Sequence, residues 1–297
     1  MTNKSSKILI WLRAARPQTL AAAIIPVIVG VSIVYTDGHF RWDISLVVLL
    51  CAVLIQIGTN FANDYYDFLK GADTDERIGF TRATSAGLIA PDAMLKATII
   101  TMFSAFLIGL YLVWLGGWVI LLIGLLSILF GILYTGGPFP LGYNGLGDLF
   151  VFIFFGFAAV MGTYFVHALE WSMLSFWASI PVGALAVNIL VVNNLRDVVQ
   201  DEISGKRTLG VLLGESALKM EYTFLLVLSF AIPCILFTNP EVHSWVLLPL
   251  LSMPMSFPLL IQIWKHDDKR ILNRTLERTA QFMVLFGVLF SIGILLM

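Results

Sequence analysis

The sequence predicts an all-α polytopic membrane protein with nine transmembrane helices, and three observations support that fold class. The chain is 59% hydrophobic and only 12% charged, whereas ordinary soluble domains carry about 25% charged residues. Several runs of about twenty residues lack Asp, Glu, Lys and Arg, which is the length needed to cross a bilayer. The basic residues also fall on one side once the spans are threaded through a membrane.

The uncharged runs place the spans in order. The first run, Pro17–Thr36, has full span length and no small-residue cleavage site, so it is read as a helix and not as a signal peptide. Ala97–Gly147 is one uncharged stretch, long enough for two crossings with a turn at Gly116-Gly117. The predicted spans are 18–36, 44–63, 97–115, 117–134, 147–167, 172–193, 222–238, 244–264 and 279–297.

The distribution of lysine and arginine sets the predicted orientation. With the N-terminus in the cytoplasm, nine spans put every basic residue except Arg41 on the cytoplasmic side, which is seventeen of eighteen. Adding or removing one predicted span would destroy this asymmetry. The sequence therefore predicts a multi-pass protein of the cell membrane with cytoplasmic loops after spans two, four, six and eight and the C-terminus outside. Its net charge of −1 gives no reason to expect a nucleic-acid partner.

Two acid-rich segments leave the membrane at matching places. The end of span two reads NFANDYYDFLKGAD, and the end of span six, 130 residues later, reads NNLRDVVQDEISGKR. This repetition suggests a weak four-helix internal repeat within a single domain covering residues 1–297. Asn193, Asp197 and Asp201 have i, i+4, i+8 spacing and would share one helical face.

The first segment has a similar but less regular pattern. Asn60, then Asn63 or Asp64, and then Asp67 follow the same helical spacing. Asp73 comes after Gly71, so its side chain would have to reach back from a loop or a new turn.

These residue types indicate a chemistry. Carboxylate and amide oxygens are hard ligands that suit Mg²⁺, which commonly binds one or two protein carboxylates together with substrate phosphates. Arginine and lysine suit oxyanions. Basic residues alternate with the acids in both segments, at Lys70, Arg77, Arg82, Arg196, Lys206 and Arg207. Together they predict a metal–diphosphate site, with solvated helix ends and a transporter site for Mg²⁺ or an anion as the alternatives.

Three tyrosines near these segments could have a second role. Tyr65, Tyr66 and Tyr134 could shield a carbocation with their π faces, although packing is an equally good interpretation.

The motifs resemble those of the UbiA superfamily of intramembrane prenyltransferases. The similarity covers nearly the whole chain and lies in five stretches: ARPQTLAAAIIPVIVG, NDYYDFLKGADTDERIGFTRATSAGLI, YTGGPFPLGYNGLGDLFVFIFFG, NNLRDVVQDEISGKRTLGVLLGE and LNRTLERTAQFMVLFG. The KGAD and GKRTL contexts are similar to the branch that prenylates 1,4-dihydroxy-2-naphthoate in menaquinone synthesis. The superfamily's first motif, N-x-x-x-D-x-x-x-D, has Gly71 at its third position here, and the acid arrives two residues later at Asp73.

The resemblance implies a fold and a set of roles. The fold would be nine helices around a central cavity capped by cytoplasmic loops. Mg²⁺ would be held by Asn63, Asp67, Asp73, Asn193, Asp197 and Asp201, and the four acids would be the catalytic residues. A polyprenyl diphosphate would be bound by Lys70, Arg82, Arg196 and Lys206.

The resemblance also implies the reaction. The prenyl group would form an allyl cation, which the naphthoate ring would attack at its carboxylated carbon with loss of CO₂, giving a demethylmenaquinol. Another aromatic acceptor is the alternative within this class. Neither the prenyl chain length nor the oligomeric state follows from the sequence.

Overall fold

A computed structural model describes residues 4–72, 78–266 and 268–297, with side chains from residue 7 onward. All regular secondary structure in the described residues is helical, and turns and loops connect the helices. The α-helices are α1 Lys4–Ala14, α2 Pro17–Thr36, α3 Trp42–Leu69, α4 Pro91–Leu133, α5 Gly147–Val151, α6 Ala159–Ala168, α7 Met173–Ile203, α8 Leu209–Leu213, α9 Glu215–Phe237, α10 Met253–Trp264 and α11 Ile271–Leu295. Leu141–Tyr143 and Ser244–Ser252 are 3₁₀ segments, and Phe152–Ala158 is a π-helical segment joining α5 to α6.

Eight helices in the described part of the chain are long and apolar enough to cross a membrane, and one of them makes two passes. Helix α4 has 43 residues and a break at Gly117, where φ is 66° and ψ is −152°. A Cβ added to Gly131 would lie 3.4 Å from the Met102 side chain, although 29 residues of straight helix would span about 43 Å. The two halves of α4 therefore fold back on each other, so the described residues contain nine candidate membrane passes, as the Gly116-Gly117 turn predicted.

Helix α7 lies at the centre of the molecule. In its most apolar stretch 78% of the residues are buried, against 11% for α4, which faces outward. Gly183 of α7 packs against Gly156 of the π-helical segment, and a Cβ on Gly156 would lie only 2.8 Å from the Ser179 carbonyl oxygen. Glycine at both positions lets the two backbones approach closely.

Two helices continue past the predicted membrane spans and carry the acid segments with them. Helix α3 runs to Leu69 and α7 to Ile203, so Asn63 and Asp67 lie on α3, and Asn193, Asp197 and Asp201 lie on α7. The predicted helical face of the second segment is confirmed. The ends of α3 and α7 meet, since Lys206, which follows α7, contacts the carboxylate of Asp67.

Candidate active site

Two adjoining cavities of different character lie among the helices. The first, here called the polar cavity, has a volume of about 200 Å³, and its lining includes Asn63, Asp67, Asn193, Asp197 and Asp201. The second, the apolar cavity, has a volume of about 220 Å³ and is lined mainly by aliphatic and aromatic side chains of α2, α3, α4 and the α5–α6 region. Five residues line both cavities: Gln56, Thr59, Tyr134, Val151 and Phe155.

The carboxylate of Asp67 is held by side chains from three segments. Arg82 donates to its Oδ2 atom at 2.8 Å, and the Tyr143 hydroxyl donates to its Oδ1 atom at 2.7 Å. The Lys206 ammonium nitrogen lies 3.5 Å from the same Oδ1 atom. Asp67 is only 1% exposed, so these donors compensate a buried negative charge.

Asp64 explains why Arg82 lies next to Asp67. One helical turn before Asp67, the Asp64 carboxylate accepts hydrogen bonds from the backbone N–H groups of Ala83 and Thr84, at 3.0 and 2.9 Å. These bonds fasten the following loop to the end of α3 and bring Arg82 to the carboxylate of Asp67.

The second acid segment is organised around a buried arginine. Arg196 is 2% exposed and makes a bidentate pair with Asp197, with both N···O distances at 2.7 Å. It also donates to the side-chain oxygens of Asn193, at 2.7 Å, and of Asn273 on α11, at 2.9 Å. Asn273 in turn donates to the Ile78 carbonyl at 3.0 Å, which links α7, α11 and the loop after α3.

Two lysines converge on the ring of Tyr143. The Lys70 ammonium lies 4.2 Å from the ring centroid and the Lys206 ammonium 4.7 Å from it. Lys70 also donates to the Thr135 carbonyl at 2.6 Å, while Lys206 lies 3.8 Å from the Asp201 carboxylate. Burial lowers the pKa of Lys70, and the nearby charge of Lys206 lowers it further, against the opposing effect of Asp67.

The structure brings most of the sequence-predicted residues together. Lys70 and Arg196 are not among the residues lining the polar cavity but contact residues that line it. Asp73 lies outside the described residues. The polar cavity is lined by Asn63, Asp67, Arg82, Asn193, Asp197, Asp201 and Lys206.

The three predicted tyrosines lie in different places. Tyr134 lines both cavities. In the described part of the chain, Tyr65 and Tyr66 line neither of them. The rings of Tyr65 and Tyr66 make an edge contact at 5.1 Å, and Tyr66 packs on Gly136, where a Cβ would come within 2.7 Å of the ring.

The oxygen donors fit Mg²⁺ by type. No three Asp, Glu, His or Cys side chains in the described ranges form a ready metal cluster. Mg²⁺ does not require such a cluster, because it usually keeps waters and completes its shell with substrate phosphates after binding one or two carboxylates. Carboxylates and amides from α3 and α7 that face one cavity provide donors of that kind.

Some residues of the site were not predicted from the sequence. Tyr143 and Asn273 lie 76 residues after Asp67 and 76 after Asp197, and no local spacing connects them to the acids. Arg16 also lines the polar cavity, and its positive φ of 52° at the N-terminus of α2 is unusual for a residue other than glycine. The Arg-Pro dipeptide at this helix start was the only sequence signal for it.

Comparisons with known proteins agree with this arrangement. A family model described as "UbiA prenyltransferase family" matches residues 23–294. The chain is 37% identical to a 1,4-dihydroxy-2-naphthoate octaprenyltransferase of Escherichia coli, covering 96% of this chain and 95% of the other. It is 34% identical to the Haemophilus influenzae protein of the same name, covering 98% and 97%.

A solved structure shares the fold. A UbiA homolog from Archaeoglobus fulgidus bound to DMAPP and Mg²⁺ superposes with a TM-score of 0.66 at 14% identity, covering 95% of this chain and 99% of that one. The helical architecture, the paired acid segments and the full-length sequence similarity lead to one assignment. This multi-pass membrane chain belongs to the UbiA prenyltransferase family.

Proposed function

We propose that this protein transfers a polyprenyl group from polyprenyl diphosphate to 1,4-dihydroxy-2-naphthoate with loss of CO₂. The single observation that carries the proposal is the junction between the two cavities. A polar cavity with acids and bases directly adjoins an apolar cavity through five shared residues. A prenyl diphosphate has this division, with a charged head and a long apolar tail.

The oxygen donors of the polar cavity would hold Mg²⁺. The residues proposed for this role are Asn63, Asp67, Asn193, Asp197 and Asp201, together with Asp73. Bound Mg²⁺ would neutralise charge on the departing diphosphate. Arg82 and Lys206 are well placed to share this task, because both already contact Asp67 and both line the cavity.

Arg196 receives a different proposed role from the one its sequence position implied. Its Nε, Nη1 and Nη2 atoms all donate to protein oxygens, and the side chain is buried. We therefore propose that Arg196 holds Asp197 and Asn193 in position, and that diphosphate binding depends on Lys70, Arg82 and Lys206.

The reaction would begin with breakage of the bond between the allylic carbon and the diphosphate oxygen. The carboxylated ring carbon would then bond to that allylic carbon, and the electrons of the C–CO₂ bond would return to the ring as CO₂ leaves. Tyr134, which lines both cavities, is the best placed of the three tyrosines to face the developing cation.

The proposal extends to orientation and organisation. The basic residues support a cytoplasmic N-terminus, cytoplasmic active-site loops and an external C-terminus. Because α3 and α7 both supply the polar cavity, we propose that residues 1–297 act as one domain. Family membership supports the enzyme over the transporter considered from the sequence.

Mass spectrometry can test the reaction. Purified full-length protein would be incubated with Mg²⁺, prenyl diphosphates of several lengths and 1,4-dihydroxy-2-naphthoate labelled with ¹³C at its carboxyl group. We expect a prenylated product that lacks the label, release of ¹³CO₂ and no turnover with EDTA. A product that keeps the label would refute decarboxylation, turnover only with another aromatic acceptor would refute the naphthoate, and full activity in EDTA would refute Mg²⁺ dependence.

A further inference from the structure

Tyr143 occupies a junction between three segments of the site. Its hydroxyl donates to Asp67 at the end of α3, and its carbonyl accepts a hydrogen bond from the backbone N–H of Arg207, after α7, at 2.8 Å. Tyr143 itself belongs to the short 3₁₀ segment between α4 and α5. Its ring is therefore fixed relative to both acid segments.

The ring gathers two positive charges from different segments. Lys70 comes from the end of α3 and Lys206 from the loop after α7, and both ammonium groups lie within 5 Å of the ring centroid. Like charges repel, so two ammonium groups converging on one place need a compensating interaction. The negative face of an aromatic ring supplies one, and the carboxylate of Asp67, 3.5 Å from the Lys206 nitrogen, supplies another.

We propose that Tyr143 is a positioning residue that holds Lys70 and Lys206 ready to bind the two phosphates of a diphosphate. This inference rests on the proposed function of the polar cavity as a diphosphate site. A free lysine side chain has many rotamers, and fixing them costs free energy on binding. A ring that holds both ammonium groups before the ligand arrives removes part of that cost. The backbone hydrogen bond from Arg207 keeps Tyr143 in place even without the hydroxyl, and the Asp67 hydrogen bond adds to it.

Two substitutions separate the ring from the hydroxyl. Tyr143→Phe keeps the π face and removes only the hydrogen bond to Asp67, whereas Tyr143→Leu removes both. Tyr35→Leu provides a matched control, since Tyr35 is 60% exposed near the far end of α2 and lines neither cavity as described.

Calorimetry with Mg²⁺ present measures the affinity of the full-length protein for inorganic diphosphate. This measurement needs neither the aromatic acceptor nor turnover. We expect Tyr143→Leu to raise Kd about tenfold and Tyr143→Phe to stay within about threefold of the unmodified protein, because phenylalanine retains the π face. Tyr35→Leu should leave Kd unchanged. Equal Kd values for Tyr143→Leu and the unmodified protein would overturn the inference, and so would a Tyr143→Phe variant as weak as Tyr143→Leu.

A double-mutant cycle distinguishes positioning from a general loosening of the loop. In a Lys206→Met background, the loss caused by Tyr143→Leu should be clearly smaller than in the unmodified protein, because one of the two ammonium groups is already gone. A fully additive loss would overturn the inference even if Tyr143→Leu is less stable. If the unmodified protein itself does not bind Mg²⁺ and diphosphate, the proposed function fails, which is a different result from failure of the Tyr143 role alone.

Discussion

At the scale of single residues, the structure separates two kinds of basic side chain in the site. Arg196 is paired inside the protein with a carboxylate and two amides, whereas Lys206 is partly exposed and lines the polar cavity. A buried pair of the first kind loses much stability when one partner is removed, about 3–5 kcal/mol, because the remaining charge is uncompensated. The neighbouring acids Asp197 and Asp201 should therefore respond differently to the same substitution.

We expect Asp197→Asn and Asp201→Asn both to abolish turnover, but only Asp197→Asn to lower the unfolding temperature strongly. Asp197 is the carboxylate partner of buried Arg196, with bonds of 2.7 Å. The ion pair from Asp201 to Lys206 is longer, at 3.8 Å, and the lysine side chain is 13% exposed. Turnover assays and thermal unfolding of both variants in the same detergent provide the test, and equal unfolding temperatures would contradict the structural role of the Arg196 pair.

Lys70 provides a prediction about pH. Burial is the main cause of its lowered pKa, so the folded protein loses this proton at a lower pH than the usual 10.5. The folded state binds the proton less tightly than the unfolded chain does, so the contribution of Lys70 to stability rises as pH rises through the lowered pKa. The affinity for diphosphate should instead fall as pH rises, because binding needs the charged ammonium group of Lys70.

The affinity for inorganic diphosphate should therefore weaken with alkaline pH more in the unmodified protein than in Lys70→Arg, since arginine stays protonated. The measurement is the Kd of the unmodified protein divided by the Kd of Lys70→Arg, followed from about pH 7 to about pH 9.5. Titration of the diphosphate affects both Kd values equally and cancels in this ratio. Lys70→Met should be weaker than both at neutral pH. A ratio that stays constant over this range would show that Lys70 does not titrate there or does not contact the ligand.

At the scale of helices, the broken helix α4 and the π-helical segment shape the apolar cavity. Phe130 of α4 contacts the rings of Phe150 and Phe154 at centroid distances of 4.8 and 5.6 Å, and all three residues line this cavity. A π-helical turn contains an extra residue and often occurs at functional sites. Here the π-helical segment contacts Phe130, in the half of α4 that follows Gly117, and it forms part of the wall of the apolar cavity.

Gly124 is the position on α4 where the apolar cavity can be filled with least disturbance. It lines the cavity, and a Cβ added there would meet no atom within 4 Å. If the prenyl tail occupies this space, Gly124→Leu should shift the preference of the enzyme toward shorter prenyl diphosphates. The KM for a short substrate should stay nearly unchanged, whereas the KM for a long one should rise.

Leu122→Phe is the matched control, because Leu122 lies two residues earlier on the same helix, is exposed and does not line the cavity. Competition between a short and a long prenyl diphosphate, with products counted by mass spectrometry, measures the preference directly. An unchanged product ratio in Gly124→Leu, or the same shift in Leu122→Phe, would refute a role for this cavity in selecting chain length.

At the scale of the whole molecule, periodicity and charge predicted the passes and the face of α7 that carries Asn193, Asp197 and Asp201. These features depend on local spacing and on the length needed to cross a bilayer. Tyr143 and Asn273 could not be predicted in this way, because their contacts with Asp67 and Arg196 arise only from the packing of distant segments. The burial of Arg196 against Asp197 and Asn273 could not be predicted for the same reason. From the sequence alone, a basic residue within an acid-rich segment is interpreted as a ligand-binding group.

The meeting of the two acid segments also has a consequence for membrane topology. Because Lys206 contacts Asp67, the loops after α3 and α7 lie at the same end of the molecule. Nine passes with the N-terminus inside would place both loops in the cytoplasm and the turn after α9 outside. Cysteine labelling of intact cells can test this in a Cys234→Ser background, because Cys234 is an exposed free thiol whereas Cys51 is buried.

We expect Ala86→Cys and Glu202→Cys to resist a membrane-impermeant maleimide until the cells are opened, and Glu241→Cys to react in intact cells. All three positions are exposed on the protein and lie outside the proposed catalytic and binding residues, so protein burial should not prevent labelling. Labelling of all three in opened cells is the control for reactivity. If Ala86→Cys and Glu202→Cys react from opposite sides, a shared site for the two acid segments is impossible in the native membrane. If both react in intact cells and Glu241→Cys does not, the site remains whole but faces the exterior, and the orientation derived from the basic residues is wrong.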